Sequence, residues 1–281
     1  MFFLDSDDKL TPDALQKMVQ AAHEGEADVV LGKLASMDAR HAPASMFKHS
    51  VEDADLIEDN VFNTLGPTKL IRRSLIESLG LRFPEDQITG EDQPFMAAVY
   101  LNARKISVLA DQDYYLIRHR ADGTNMTLGA RGPGEHLRTA VRLSKTIEQY
   151  TEPGERRDAL LRRPFAWTMK RVLDGRWLRL PREEQESLGE IFRSEIGHLY
   201  TEELRRRVPE ETRWKLDLLA ADNLEGLAAT IEYFVENPDR QLMWREGAFQ
   251  RKVPPSWRSS CRRRAARRRR PRCPRSSRTS G

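Results

Sequence analysis

A short apolar stretch, Met1-Phe2-Phe3-Leu4, runs directly into the acidic run Asp5-Ser6-Asp7-Asp8. That junction constrains the fold more than any other feature. Apolar residues that stop abruptly at clustered carboxylates read as a buried strand ending in a turn. A helix is expected next: Thr11 suits the N-cap and Pro12 the first helical position, where its missing N–H costs nothing. Leu15, Met18, Val19 and Ala22 recur at helical spacing as far as Gly25. Residues 28–34, with Val29-Val30-Leu31, read as the following strand. Strand, acidic turn, helix and strand in this order form an α/β unit. A buried strand needs neighbours on both sides, so further strands are expected upstream of Met1 and the chain is read as N-terminally truncated.

Residues 35–60 lose this regularity and read as a long binding loop. Lys69-Leu70-Ile71 is expected as a strand, residues 74–79 as a helix closed by Gly80, and residues 92–103 as a second helix. Residues 106–109 and 114–117 have strand character, and Asp122-Gly123 marks a turn. The Gly- and Pro-containing stretch 129–134 separates this part from one whose apolar stripes are almost all helical. The expected organisation is an α/β domain at 1–128, a linker at 129–134, a mostly α-helical domain at 135–257 and a disordered basic tail at 258–281.

Charge divides the same way. The chain holds 47 Lys and Arg against 43 Asp and Glu. Eleven of the Arg and none of the acids lie in residues 258–281, which leaves 36 basic against 43 acidic residues before them. The body is therefore acidic, which argues against nucleic acid as a partner. The tail lacks Leu, Ile, Val and Phe and cannot build a core. Its composition is also what an out-of-frame reading of GC-rich DNA produces. Both cysteines, Cys261 and Cys273, lie there too, so the body has no disulfide framework or thiolate metal site. No apolar run approaches the ~18 residues of a membrane span, and Met1–Leu4 is too short for a secretory signal. A cytoplasmic location is expected.

Three clusters carry chemistry. Asp5, Asp7 and Asp8 present carboxylates on one turn, a donor set suited to a hard divalent cation such as Mg²⁺ or Mn²⁺; the same run also suits helix capping. Glu91-Asp92-Gln93-Pro94 opens a helix, where Asp92 reads either as a cap or as a general base for a hydroxyl proton. Arg118-His119-Arg120, following Tyr114-Tyr115, offers cations for a diphosphate and an imidazole for a metal, or simply a basic strand edge.

Taken in order, Phe3-Leu4-Asp5-Ser6-Asp7-Asp8, Lys69-Leu70-Ile71-Arg72-Arg73-Ser74, Leu81-Arg82-Phe83-Pro84, Glu91-Asp92-Gln93-Pro94-Phe95 and Tyr114-Tyr115 resemble the family 2 glycosyltransferases. The resemblance covers residues 1–128 and implies a partial GT-A fold, a Rossmann-like nucleotide-sugar domain. It implies that Asp5 and Asp7 hold Mn²⁺ or Mg²⁺ and that Asp92 is the base of an inverting displacement. Asp5, Asp8, Glu91, His119 and Arg120 would then contact a nucleotide-sugar donor, taken as UDP-linked. The helical part, through Val208-Pro209-Glu210-Glu211-Thr212-Arg213-Trp214-Lys215, resembles the linker domains of bacterial wall-polymer transferases. That implies a polyol-phosphate or other glycan acceptor, handled at the inner membrane face. The family's base-binding strand and helix precede the Asp-x-Asp and are absent here, so little transfer by this chain alone is expected. Two other functions fit parts of the sequence: a catalytically inert interaction module built on the helical domain, and nucleic-acid binding through the Arg-rich tail.

Overall fold

The computed structural model describes residues 1–37, 42–87, 90–118 and 132–237, together with two strands at Leu242–Arg245 and Ala248–Arg251. The first part is α/β. Its elements are β1 (Lys9–Leu10), α1 (Ala14–Glu24), β2 (Val29–Gly32), β3 (Leu34–Ser36), β4 (Leu70–Ile71), α2 (Arg73–Ser78), α3 (Asp92–Asn102), β5 (Ile106–Leu109) and β6 (Tyr115–Ile117). All four residues of β2 are buried, as the unbroken apolar run requires. Strand β2 pairs in parallel with β5, Val29 opposite Ile106, and antiparallel with β4. A second sheet has the order β1-β6-β3. Lys33 joins the two sheets: β2 and β3 flank it, and its carbonyl accepts the Tyr114 N–H at 2.9 Å.

Three expectations shift. Met1–Leu4 forms no buried strand: Phe2 alone bridges to Leu70, and Met1 and Leu4 are about half exposed. The segment lies at the sheet margin beside β4, where only the phenyl rings of Phe2 and Phe3 reach apolar neighbours. Helix α1 starts later than Thr11: Asp13, in the left-handed region at φ 62°, precedes it, while the Thr11 carbonyl accepts the Ala14 N–H. Its buried face is Ala14 and Met18, leaving Leu15 and Val19 exposed. The loop after β3 has no long element, yet Met46, Phe47, Ala54 and Leu56 anchor it in the core and Val51 bridges to Val108 of β5.

From Pro133 the chain is helical: α4 (Pro133–Gln149), α5 (Glu155–Arg162), a π-helical turn (Arg163–Thr168), α6 (Met169–Val172), α7 (Arg182–Glu195), α8 (Glu202–Arg207), α9 (Glu210–Ala220) and α10 (Leu224–Glu236). The helical expectation for 135–257 stops short, because β7 (Leu242–Arg245) and β8 (Ala248–Arg251) form an antiparallel hairpin. The tail at 258–281 lies outside the described residues. One apolar core runs from β2 and α3 through Leu137, Ala140, Leu143 and Ile147 of α4 to Phe165, Phe192 and Ile231. Helix α4 packs along α3, so the helical part rests directly on the element that begins with Asp92.

Candidate active site

Aromatic packing brings the first two clusters to the same core. Phe3, two residues before Asp5, meets Phe95 of α3 edge-on at 5.8 Å between centroids and Phe83 at 5.4 Å, while Phe83 stacks on Phe95 at 4.2 Å. The acidic turn and the start of α3 are therefore fixed against one another through three rings. Strand β6 holds the turn from the other side. The Asp5 N–H donates to the Tyr115 hydroxyl at 3.3 Å, the Asp8 carboxylate accepts the Arg118 N–H at 2.8 Å, and the Tyr115 hydroxyl also bonds Asp8. Tyr115 is fully buried, and burial with that acidic company pushes its hydroxyl well above the ordinary phenol range.

Asp5 is exposed and Asp7 half-buried on this turn. Asp8 is committed to β6 through Arg118 and Tyr115. Oxygen-only donors on an accessible turn fit a hard divalent cation, although no group of three or more His, Cys, Asp or Glu converges among the described residues. His119 and Arg120 lie outside the described residues. They follow Arg118 directly in the chain.

Helix α3 begins at Asp92, and Glu91 occupies the cap position without a side-chain cap bond. The Asp92 carboxylate accepts the Gln93 backbone N–H in the first turn. Gly90, at φ 78°, turns the chain into the helix, and a Cβ there would press on the Thr139 side chain of α4 at 3.0 Å. Asp92 is partly buried. Desolvation and the neighbouring Glu91 raise its carboxyl to about 6, against the opposing pull of Lys69 and Arg163. The Glu91 Oε2 is buried and has no hydrogen-bond partner among the described residues.

Lys69 and Arg163 were not singled out as site residues in the sequence. Lys69 is fully buried just before β4; its Nζ donates to the Gly66 carbonyl at 2.5 Å and the Thr64 hydroxyl at 3.3 Å. Burial pulls its ammonium down to about 7. Arg163, at the start of the π-helical turn, donates to the Asn63 carbonyl at 2.7 Å and lies over the Trp167 ring at 5.0 Å. Asp92 lies beside the same loop, its Oδ2 3.9 Å from where a Gly66 Cβ would stand. A buried lysine just ahead of a short apolar strand and an arginine about seventy residues beyond Asp92 carry no local spacing signal. Fold alone joins them.

Residues 1–80 match the family described as glycosyl transferase family 2, and residues 133–231 match the glycosyl transferase TarS linker domain. The chain combines a family 2 glycosyltransferase segment with a TarS-type linker domain. Among curated proteins, a poly(ribitol-phosphate) beta-glucosyltransferase of Bacillus spizizenii is 41% identical over 128 residues, 46% of this chain and 20% of that protein. The poly(ribitol-phosphate) beta-N-acetylglucosaminyltransferase TarS of Staphylococcus aureus is 36% identical over 127 residues, 45% of this chain and 22% of TarS. The crystal structure of S. aureus TarS 1–349 with UDP-GlcNAc superposes with a TM-score of 0.76 at 25% identity, covering 90% of this chain and 72% of that one. The matches thus span only about a fifth of those two curated relatives, while the structural likeness extends through both parts of the chain. Among the described residues no helix is long and apolar enough to cross a membrane.

Proposed function

We propose that this chain acts in the transfer of a sugar from a UDP-linked donor to a hydroxyl of a poly(polyol phosphate) wall polymer, with inversion and with a divalent cation. The observation that carries the reading is Asp92: a carboxyl at a helix start, fixed by Phe3, Phe83 and Phe95 to the acidic turn and raised by burial to about 6. A base with an affinity close to working pH takes a hydroxyl proton efficiently and still releases it. The poly(ribitol-phosphate) substrates named for the relatives and the UDP-GlcNAc bound by TarS support the acceptor and donor classes.

In this reading Asp92 accepts the proton of the acceptor hydroxyl as that oxygen attacks the anomeric carbon, and one in-line displacement inverts that centre. Glu91 keeps the pair basic by its charge. Asp5 and Asp7 hold Mn²⁺ or Mg²⁺, which when bound neutralises charge on the leaving diphosphate. Asp8 keeps the turn against β6 through the Arg118 N–H, and contact of His119 and Arg120 with the donor belongs to the same proposal. The organisation into a catalytic part at 1–128 and a linker part from about 135 belongs to the same proposal.

The test is transfer of labelled sugar from UDP-GlcNAc or UDP-glucose to poly(ribitol phosphate). It is run with this chain and with residues 1–237 grafted in place of the matching region of TarS. Loss of transfer on Asp92→Asn and on chelation supports the reading. A graft that transfers equally well with Asn at 92 overturns the base, and one indifferent to chelator overturns the metal.

A further inference from the structure

Arg163 belongs to the helical part in sequence but to the Asp92 site in space. It opens a π-helical turn, Arg163–Thr168, a rare backbone form that recurs at functional sites. Pro164 follows it, and Phe165 and Ala166 are buried, so the turn is anchored in the core. Its first side chain reaches the loop 63–66. The Arg163 Nη1 bonds the Asn63 carbonyl, Lys69 Nζ bonds the Gly66 carbonyl and Thr64 hydroxyl, and the Tyr100 hydroxyl of α3 donates to the Thr64 carbonyl at 3.0 Å. Two cations are thus hung on one loop that passes beside the Asp92 carboxylate, whose Oδ2 stands 3.9 Å from where a Gly66 Cβ would be.

Neither cation is spent on a direct ion pair with Asp92. The Arg163 Nε is buried without a partner among the described residues, as is Glu91 Oε2. A close bidentate pair would quench the carboxylate. Cations held one step away leave it basic while preventing permanent protonation beside Glu91. The charged groups that act on Asp92 come from three segments: Glu91 ahead of α3, Lys69 before β4, and Arg163 after α5. Helix α4, which packs along α3, sends Arg142 to Asp86 and Gln87 instead.

We infer that Arg163 is a positioning residue for the catalytic base, holding the Asp92 carboxylate available as a base from the helical part, so that this part completes the active site. The inference rests on the assignment of Asp92 as the base. It explains why a linker would pack on α3 rather than hang from the end of the catalytic part.

Titration of the Asp92 carboxyl, followed by carbon NMR of carboxyl-labelled full-length chain with Asp92→Asn as the assignment control, tests it. Removing a nearby cation raises a carboxyl by about one unit or more. The Asp92 midpoint is therefore expected to rise by about one unit in Arg163→Met and to return in Arg163→Lys. If Arg163→Met does not fold, Arg163→Gln keeps a donor for the Asn63 carbonyl without the charge and carries the same expectation. A midpoint that stays in place in a folded, uncharged variant overturns the inference. No donor or acceptor is present, so failure of the transferase reading leaves this result untouched. In a transferring form, the acidic limb of the pH–rate profile should move up with the midpoint, whereas structural damage would lower the rate at every pH.

Discussion

Two shielded carboxylates in the α/β part, Asp28 and Asp92, each lie between two cations, and their proton affinities move in opposite directions. Asp28, only 3% exposed at the start of β2, accepts Arg72 Nε at 2.5 Å, Arg104 Nε at 3.0 Å, Arg104 Nη2 at 2.9 Å and the Arg104 backbone N–H at 3.0 Å. Those direct bonds, chiefly from Arg104, hold it well below the usual carboxylate range against the cost of burial. Asp92 receives no such bonds from Lys69 or Arg163, which are tied to the carbonyls of residues 66 and 63, and it has Glu91 as a neighbour. Its carboxyl rises to about 6. Direct hydrogen bonds from the cations, rather than their mere proximity, separate the structural clamp at Asp28 from the proposed base at Asp92.

The largest effect expected from this contrast is on turnover. Asp92→Asn should lower sugar transfer by about 10²–10⁴-fold, the range for a positioned general base. Asp28→Asn should leave the rate of the folded fraction within a few-fold, because Asp28 binds only Arg72 and Arg104 at the far end of β2. Initial rates in the grafted transferase compare the two directly. A deeper loss at Asp28 than at Asp92 would break the distinction.

Stability should order them the other way. Asp28→Asn removes a charged acceptor of four hydrogen bonds and should cost about 2–3 kcal/mol in urea unfolding at pH 7. For Asp92, a carboxyl lifted from 3.8 to about 6 costs the folded state on ionising, so Asp92→Asn should gain roughly 1–3 kcal/mol at pH 7. The pH windows follow from the signs. Stability linked to Asp92 is fully present below about pH 4 and lost as pH rises through 6, so the gain of Asp92→Asn should vanish in acid. Stability linked to Asp28 is present above about pH 4 and lost below it, so the penalty of Asp28→Asn should shrink only in stronger acid. Unfolding curves from pH 3 to 8 separate these windows, and parallel curves for the two variants would refute the contrast.

The same contrast marks how far the sequence could be read. Strand β2, helix α3 and strand β5 were legible because Val29-Val30-Leu31, the apolar face of Phe95 and Val99, and Ile106–Leu109 are local periodic signals. Asp92 and the acids of the turn stand out as candidates because chemistry-bearing residues cluster along the chain. Asp28 was passed over as the edge of a strand, since its partners lie 44 and 76 residues away. Lys69 read only as part of Lys69-Leu70-Ile71, whereas its burial depends on the 63–66 loop folding over it. The late start of α1 turned on the left-handed backbone of Asp13, which no composition announces. Residues that act through long-range tertiary contacts leave no spacing to read.

The smallest expected effect isolates the donor geometry itself. Arg104 is 75% exposed, so its charge alone is largely screened by solvent, yet it supplies two of the side-chain bonds to Asp28. Arg104→Met removes those bonds and leaves Arg72 and the backbone N–H of residue 104. The loss should be smaller than for Asp28→Asn, with Asp28 moving up towards the ordinary carboxylate range. Carboxyl NMR of Asp28 reads that movement, and urea unfolding reads the loss. If Asp28 stays low without the Arg104 side chain, burial beside Arg72 and a single backbone donor is enough to hold a carboxylate ionised. The high proton affinity of Asp92 would then have to be assigned to its burial and to Glu91 rather than to the absence of direct donors.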